Sequence, residues 1–183
     1  MTSMSKNFYI ADTHFGHENC ISFDGRPFKT IEEHDEALIA NWNSVVADED
    51  HVYIIGDFAF KSEKPVSEYT KRLKWHLHLI RGNHDKKTQE YESCFETVGD
   101  VLTVADDLDG IKRRVVLCHY WMPFVGQKKF MLYGHTHTGD EYVLELLLQE
   151  ELKLNNYPMN SFNVGCMHQD YYPKTLEQIV KGH

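Results

Sequence analysis

The sequence predicts a mixed α/β fold, and three observations lead to this prediction. Short apolar runs of the length of buried strands occur at residues 8–11, 51–55 and 77–80. Stretches that carry helix-start signals separate these runs. Hydrophobic residues make up 42% of the 183 residues, which is typical of a folded globular protein and not of a disordered one. Strands that alternate with helices pack as α/β layers. A chain of 183 residues has the length of one domain, so we expect a single domain over residues 1–183.

The first half of the chain carries local signals for a loop and for three helices. Residues 15–29 contain two glycines and a proline, which predicts a loop. Thr30 and Glu33 match a capping box, so a helix is expected to begin directly after Thr30. Two further helices are predicted at residues 65–75 and 87–96.

The second half of the chain is richer in strands. Strands are predicted there at residues 101–104, 114–118, 131–133 and 161–164. Residues 141–154 are ambiguous, because their composition favours a helix while a period of two also fits parts of the stretch. Their leucines are expected to pack in the core, with a homodimer contact as the alternative. A second capping box at residues 175–178 predicts a short C-terminal helix.

Composition and charge narrow the class of protein. No apolar run approaches the roughly 20 residues that a membrane span needs, and the N-terminus lacks the apolar core of a secretory signal. The net charge of −9 disfavours long nucleic acids as partners, since an acidic surface repels phosphate backbones. The four cysteines form no CxxC pair, so we expect reduced, mostly buried thiols in a cytoplasmic protein.

Five of the predicted strands are followed directly by side chains that can bind metal ions. These side chains are Asp12, His14, Asp57, Asn83, His84, His119, His135 and His137. Taken singly, an aspartate or histidine at the end of a strand is more often a turn or structural residue. That reading weakens sharply when five independent strands end in this way. We therefore expect one site beyond the carboxyl ends of the strands, at a single edge of the sheet.

The types of side chain narrow the choice of metal. Apart from His84, the set contains four histidines, two aspartates and one asparagine, and it contains no thiolate. Such a set suits divalent Mn, Fe, Ni, Co or Zn, and it is too rich in nitrogen for a Ca²⁺ or Mg²⁺ cage. Seven ligands are too many for one tetrahedral ion, but with a bridging carboxylate they fill two ions roughly 3.5–4 Å apart.

The chemistry expected of two such ions is the hydrolysis of a phosphate ester. The pair acidifies a bridging water to hydroxide near neutral pH and clamps the oxygens of a phosphoryl group. An unligated histidine beside the metals can protonate the leaving alkoxide. His84 is the candidate for this step, because Asn83 directly before it would hold the metal.

The order of the motifs points to a family. The stretches ADTHFGH, GDF, GNHD, the strand end at His119 and GHTH follow one another along the chain. This pattern resembles the calcineurin-like metallophosphoesterases, whose signature is DxH…GD…GNHD/E…H…GHxH, and among them the small bacterial and phage members. The resemblance runs from Asp12 to His137, and it is specific because all the motifs occur together. It implies a four-layer α/β/β/α sandwich with two mixed sheets.

The resemblance also implies a role for each matching residue. One ion would be bound by Asp12, His14, Asp57 and His137, and the other by Asp57, Asn83, His119 and His135. Asp57 would bridge the two divalent transition metal ions, for which manganese is the first expectation and Fe, Ni, Co or Zn are alternatives. His84 would orient the phosphate and act as general acid, and Asp85 would support His84 by hydrogen bonding.

Three further residues are candidates for substrate binding. His17 resembles a variant of the first motif that would contact the phosphate, and an ordinary loop histidine is the equal alternative. Arg81 would pair either with phosphate or, as the favoured alternative, with a nearby carboxylate. Tyr120 would stack on a base or, as the favoured alternative, pack in the core. The histidines without motif support are interpreted as structural or surface residues; they are His34, His51, His76, His78 and His168.

The leading functional hypothesis is a phosphohydrolase that acts on a small phosphomonoester or phosphodiester. Nucleotides and cyclic nucleotides are candidate substrates. A nuclease of the same superfamily is the first alternative, although it predicts a basic groove that the net charge of −9 does not favour. A catalytically silent scaffold for a protein partner is the second alternative, but such relatives are expected to lose ligands that this chain retains.

Overall fold

The computed structural model describes residues 5–74, 76–126, 129–158 and 160–182, and within them it contains two β-sheets. The strands in this part of the chain are β1 (Asn7–Ile10), β2 (His51–Ile55), β3 (Leu77–Ile80), β4 (Thr97–Gly99), β5 (Val101–Leu108), β6 (Ile111–Cys118), β7 (Lys129–Tyr133), β8 (Ser161–Asn163) and β9 (Lys174–Thr175). The helices are α1 (Asn19–Phe23), α2 (Ile31–Val45), α3 (Val66–Thr70), α4 (Gln89–Glu92), α5 (Asp140–Leu154) and α6 (Leu176–Gly182), with a 3₁₀ turn at Cys166–His168.

Both sheets are mixed, which confirms the predicted α/β class. The first sheet has the order β4-β3-β2-β1-β9, in which β1 to β4 are parallel and β9 is antiparallel. The second has the order β5-β6-β7-β8, in which β5 and β6 form an antiparallel hairpin and β6, β7 and β8 are parallel. The metal-type residues were expected at one edge of one sheet, and that expectation is wrong because they follow strands of both sheets.

The buried strands are apolar on both faces, which explains their continuous hydrophobic runs. Alternate side chains of β1 point in opposite directions. Phe8 and Ile10 pack with Trp42 of α2 in one core cluster. Tyr9 packs in another cluster with Leu117 of the second sheet, so the two sheets pack against each other. The fourth, outer helical layer that the resemblance implies stays a prediction.

The capping box at Thr175 and Gln178 is confirmed. At Thr30 the predicted N-cap is confirmed, although the Glu33 carboxylate accepts from the N–H of Lys29 at 2.8 Å and not from that of Thr30. The hydroxyl of Thr30 accepts a hydrogen bond from the backbone N–H of Glu33 at 3.2 Å, at the start of α2. At the start of α6, the backbone N–H of Thr175 donates to the Gln178 side chain at 2.9 Å, and the Gln178 N–H donates back to the Thr175 hydroxyl at 3.4 Å. These local signals act within one turn and do not depend on the rest of the fold.

Several predicted boundaries differ from the structure. The predicted loop 15–29 contains the short helix α1, and the predicted helices 65–75 and 87–96 are the single turns α3 and α4. Trp75, the expected end of the first of these helices, lies outside the described residues. The strands β5 and β6 are longer than predicted, because they pair as a hairpin around Asp109 and Gly110, which both have positive φ.

Residues 141–154 fall within the helix α5, but their leucines do not enter the core. Leu144 and Leu147 are 64% and 62% exposed. The buried side chains of the helix are instead Glu145 and Gln149, one turn apart, which hydrogen-bond the hydroxyl of Tyr133. The core expectation for this stretch is therefore wrong, and the alternative homodimer contact stays a prediction.

The two longest described helices have 15 residues each, and neither is long and apolar enough to cross a membrane; the same holds for the shorter helices of the described residues. The four cysteines are unpaired, as expected; Cys20, Cys118 and Cys166 are buried, and Cys94 is partly buried.

Candidate metal centre

The ends of β1, β2, β3, β6 and β7 bring the expected metal ligands into two adjacent groups. In the first group, one ligand atom each of Asp12, His14, Asp57 and His137 lies within 4.8 Å of the others. The Nε2 atoms of His14 and His137 are 3.3 Å apart, and Nε2 of His137 lies 3.6 Å from Oδ1 of Asp12. Residues from three different strand ends therefore meet at one point.

The second group consists of Asn83, His119 and His135. Oδ1 of Asn83 lies 3.0 Å from Nε2 of His119 and 3.0 Å from Nδ1 of His135. Asn83 follows a strand of the first sheet, whereas the two histidines follow strands of the second sheet. The packing of the two sheets is therefore what assembles this group.

Asp57 lies between the two groups. Its Oδ2 atom is 3.7 Å from Nε2 of His14 in the first group and 3.5 Å from Nε2 of His119 in the second. Its Oδ1 atom accepts a hydrogen bond from the backbone N–H of His84 at 2.8 Å. One carboxylate oxygen thus faces both groups of ligands while the other is held by the GNHD loop.

The hydrogen bonds of His119 leave a lone pair pointing into the second group. Its Nδ1 atom lies 3.0 Å from the carbonyl oxygen of Ile55, which can only accept, so Nδ1 carries a proton. In the neutral ring, Nε2 then presents a lone pair to the oxygens of Asn83 and Asp57. Acceptors that converge without a donor between them fit a cation, and a carbonyl behind a ligating histidine is a common orienting contact.

His137 repeats this arrangement in the first group. Its Nδ1 atom donates to the carboxylate of Asp24 at 2.9 Å, which leaves Nε2 to face Asp12. Burial alone would lower the pKa of His137, but the hydrogen bond to Asp24 and the charge of Asp12 outweigh burial and raise it. The Asp24 carboxylate therefore makes this imidazole a more basic ligand.

Three of the four residues of the first group are almost inaccessible to solvent, and this makes charges there costly. Asp12, His14 and Asp57 are at most 1% exposed. Burial raises the pKa of the Asp12 carboxyl, and burial together with the proximity of His137 lowers the pKa of His14. The charge of the second buried carboxylate, Asp57, also raises the pKa of Asp12, so this site lacks enough opposite charge to offset the cost of burying two carboxylates. A divalent cation would supply that charge, so the donor set fits a metal.

Strained backbone is concentrated at the same residues. Five of the expected ligands have φ between 47° and 76°; they are Asp12, His14, Asp57, His135 and His137. A residue other than glycine in the left-handed region costs of order 1–3 kcal/mol, and such strain is typical of functional sites. The surrounding fold therefore holds these residues in backbone conformations that an unconstrained chain would avoid.

Two motif glycines make room for the ligands. A Cβ atom at Gly56, which has a φ of +87°, would overlap the ring of His119. A Cβ atom at Gly134 would overlap the carboxylate of Asp12. The glycines of GDF and GHTH are therefore needed because the backbone passes directly against side chains from distant strands.

His84 lies at the rim of the centre, as expected, but Asp85 does not support it. The ring of His84 packs 3.8 Å from that of Phe60 and 5.7 Å from that of His14, measured between centroids. The Asp85 carboxylate instead accepts hydrogen bonds from the backbone N–H groups of Asp57, Phe58 and Gly82 and from the hydroxyl of Tyr91. With four donors already bound, Asp85 holds the GDF and GNHD loops together, and its predicted bond to His84 is wrong.

The candidates for substrate binding have different outcomes. Arg81 donates to the carboxylates of Glu92 at 2.7 Å and Asp100 at 3.0 Å, so its alternative as a carboxylate partner is confirmed. Tyr120 is 48% exposed and its ring lies 4.7 Å from that of His135, so core packing is wrong for it. His17 is buried beside His14, with their Nδ1 atoms 3.3 Å apart, and its contact with phosphate stays a prediction.

Asp24 and Arg26 belong to the site although the sequence carries no motif for them. The buried guanidinium of Arg26 donates to the backbone carbonyls of Asp12 and Thr13 and to Asp24. Burial alone would raise the pKa of Asp24, but the hydrogen bond from His137 and the charges of His137 and Arg26 lower it. Asp24 thus stays ionised and links the predicted loop 15–29 to the GHTH motif.

Asp24→Asn is expected to weaken metal binding by about 10- to 100-fold, because the amide no longer raises the basicity of His137. The metal dissociation constant, measured by competition with a chromophoric chelator, tests this expectation. Asp48→Asn is a matched control, since Asp48 is an exposed carboxylate paired with Lys74. Equal affinity in folded Asp24→Asn and wild-type protein would show that Asp24 does not tune the ligand.

Comparisons with known proteins agree with this geometry. Residues 6–145 match the model of the calcineurin-like phosphoesterase superfamily domain. The chain is 33% identical to an uncharacterized protein of Methanocaldococcus jannaschii over 183 aligned residues. The alignment covers 98% of this chain and 92% of the relative. It is 28% identical to the Gene 66 protein of Mycobacterium phage L5, over 74% of this chain and 79% of that protein.

A solved structure supports the fold. The crystal structure of a protein of unknown function from Aquifex aeolicus aligns with a TM-score of 0.70, over 98% of this chain and 100% of that one. The two sequences are 22% identical. At this level of identity, the similarity shows that the two proteins share the arrangement of their strands and helices, and it shows no more than that.

Proposed function

Because the chain belongs to the calcineurin-like phosphoesterase superfamily, we propose that it is a phosphohydrolase that uses two divalent metal ions to cleave small phosphomonoesters or phosphodiesters. The observation that carries this proposal is the position of Asp57. One of its oxygens lies within 3.7 Å of ligand nitrogens in both groups, as a bridging carboxylate requires. Superfamily membership implies metal-dependent phosphoester hydrolysis, and this geometry supports the finer statement of two metals.

The proposed ligands follow the two groups. Asp12, His14, Asp57 and His137 hold one ion, and Asp57, Asn83, His119 and His135 hold the other. Nitrogen and oxygen ligands without thiolate suit Mn, Fe, Ni, Co or Zn, and manganese is the ion that we propose first. When bound, the two ions would acidify water and neutralise charge on the phosphoryl oxygens.

The residues around the ligands have complementary tasks in this proposal. The backbone N–H of His84 donates to Asp57, and the ring of His84 lies against Phe60 at the partly exposed rim of the centre. There it can donate a proton to the leaving-group oxygen as the general acid. His17, which lies against His14, would donate to a phosphate oxygen. Asp85 acts through the backbone of the two loops and does not itself touch the substrate.

Two exposed aromatic rings flank the centre and favour a substrate with a flat group. Phe23 is 50% exposed and lies 5.3 Å from the ring of His137 in the first group. Tyr120 is 48% exposed and lies beside His135 in the second group. Exposed rings next to a phosphate site can stack on a base. This arrangement supports nucleotides and cyclic nucleotides as candidate substrates.

The same proposal includes the cellular compartment, the domain organisation and the partner. The protein is proposed to be cytoplasmic, because its cysteines are unpaired and reducing compartments keep thiols in that state. It is also proposed to be a single domain whose partner is a small phosphate ester.

Metal-loaded protein is expected to hydrolyse bis-p-nitrophenyl phosphate or p-nitrophenyl phosphate when Mn²⁺, Ni²⁺ or Co²⁺ is supplied. Release of p-nitrophenol measures the rate, and the chelator-treated protein is the control, which should regain activity when metal is restored. A folded, metal-loaded protein that turned over neither ester would contradict the proposal. A subsequent screen of nucleotides, cyclic nucleotides, dinucleotides and short single strands would define the substrate class.

A further inference from the structure

A second cluster of metal-type side chains lies at the opposite end of the first sheet. His51 is the first residue of β2, His76 directly precedes β3, and Glu96 directly precedes β4. These strands are parallel and adjacent, so their starting ends lie side by side. The candidate metal centre lies beyond the carboxyl ends of the same strands, roughly 15 Å away at about 3.3 Å per residue. The two clusters are therefore separate.

The side chains of this second cluster already converge. One ligand atom each of His51, His76 and Glu96 lies within 4.8 Å of the others. Nδ1 of His76 is 2.6 Å from Oε1 of Glu96, and the rings of His51 and His76 are 4.9 Å apart. A metal ion that replaced the proton between His76 and Glu96 would find a third ligand beside them.

His78 and its neighbours hold the cluster from the buried side. Nε2 of His78 lies 2.9 Å from Nδ1 of His51, and Nδ1 of His78 lies 2.9 Å from the hydroxyl of Thr97. Its ring also stacks on Tyr53 at 4.7 Å. Ligating histidines are typically oriented by hydrogen-bond partners of this kind.

The backbone at His76 has an uncommon conformation, and the outer side of the cluster is open to solvent. This residue has a φ of +61°, in the left-handed region that residues other than glycine rarely adopt. The side chains of His76 and Glu96 remain 38% and 49% exposed, so an ion from solution can reach them. The cluster is thus held by hydrogen bonds on its buried side, at His78, and is open to solvent on its other side, at His76 and Glu96.

We propose that His51, His76 and Glu96 bind a divalent metal ion such as Zn²⁺, and that His78 orients His51. Two imidazoles and one carboxylate are a ligand set that zinc accepts, with water in the remaining position. A single ion there would tie together the starting ends of three neighbouring strands. The expected consequence is a folded state that is more stable when the ion is bound.

The test uses Zn²⁺ alone as the probe and the full chain with Asp57→Asn as the parent protein, so that the candidate metal centre contributes equally to both sides of the comparison. Into this parent, His76→Asn and Glu96→Gln are introduced together, because asparagine tolerates a positive φ and glutamine keeps the shape of glutamate. Elemental analysis after gel filtration is expected to find one zinc ion fewer per chain in the substituted protein than in the parent.

A thermal unfolding experiment gives the second readout. Zn²⁺ is expected to raise the Tm of the parent, and to raise it less in the substituted protein. Glu36→Gln is the matched control, since Glu36 is an exposed glutamate paired with Arg72, and it should keep the full zinc-dependent rise. Equal zinc content and equal rises in Tm in the parent and the substituted protein would overturn the proposal and leave a cluster that is only hydrogen-bonded.

The substitutions are chosen to preserve the fold, and circular dichroism checks this. If the double substitution unfolds the chain, Glu96→Gln alone is compared with the parent. A lower zinc affinity in this folded variant would support the site, and an unchanged affinity would overturn it. The outcome is independent of the proposed hydrolysis, because it is measured as bound zinc and as Tm.

Discussion

His84→Ala is expected to lower kcat by about 100- to 10,000-fold while the bound metal stays in place, because positioned acid catalysis typically contributes that much. The substitution removes the ring at the rim of the centre. It keeps the backbone N–H that donates to Asp57 at 2.8 Å, so the carboxylate that is proposed to bridge the ions is still held. The measurements are kcat and the metal content of the same protein preparation.

The leaving group distinguishes acid catalysis from mere positioning. A p-nitrophenolate group leaves without a proton, whereas an alkoxide from an alkyl ester or a ribose needs one. The loss of rate in His84→Ala should therefore be larger for esters with alkoxide leaving groups than for p-nitrophenyl esters. His17→Ala is a matched control in the same site, for which we expect a loss that does not depend on the leaving group.

Two results would count against this role of His84. Equal losses for both kinds of ester would assign it to phosphate positioning. An undiminished rate on an ester with an alkoxide leaving group would remove it from the reaction altogether.

Asp57→Asn is expected to lose metal from both positions and to lose hydrolysis with it. The amide has the size of the carboxylate but carries no charge, and its oxygen is a weaker ligand for both ions. Because Oδ2 of Asp57 faces His14 in one group and His119 in the other, one substitution affects both ions. Elemental analysis of folded protein, with circular dichroism to verify the fold, measures the effect.

Asn83→Ala is the matched comparison, since Asn83 contacts His119 and His135 of the second group alone among the proposed ligands. We expect this variant to lose one ion and to keep the ion of the first group. If Asp57→Asn lost one ion and kept the other at its normal affinity, Asp57 would not bridge the metals.

The ligands that could be predicted from the sequence are residues at positions that a local pattern identifies. Asp12, Asp57 and His119 directly follow apolar strands, and such positions can be read from a few neighbouring residues. The motif glycines can be read in the same way, although the reason for them lies elsewhere in the chain. Gly134 is needed because the Asp12 carboxylate, more than a hundred residues earlier, passes against it.

The errors arose where a side chain had a choice of partners. Asp85 was expected to bond its neighbour His84, but four donors brought to it by β2, β3 and α4 occupy its oxygens. The leucines of α5 were expected in the core, but the helix faces the sheet with Glu145 and Gln149. Helix propensity predicts that α5 forms. Which face of α5 is buried depends on its contacts with the sheet, and here the Tyr133 hydroxyl hydrogen-bonds Glu145 and Gln149.

Several features can be predicted along the chain, because each depends on residues a few positions apart. They are the alternation of strands and helices, the helix caps, the turn residues and the chemical types of the proposed metal ligands. The contact of His137 with Asp24 spans 113 residues, and that of His51 with His78 spans 27. Neither carries a local signal, because strand register and the packing of two sheets bring these residues together. The fold therefore determines three features that no short stretch of sequence encodes. They are the Asp24 carboxylate that contacts the proposed ligand His137, the Asp57 oxygen that faces both groups of proposed ligands, and the second histidine cluster.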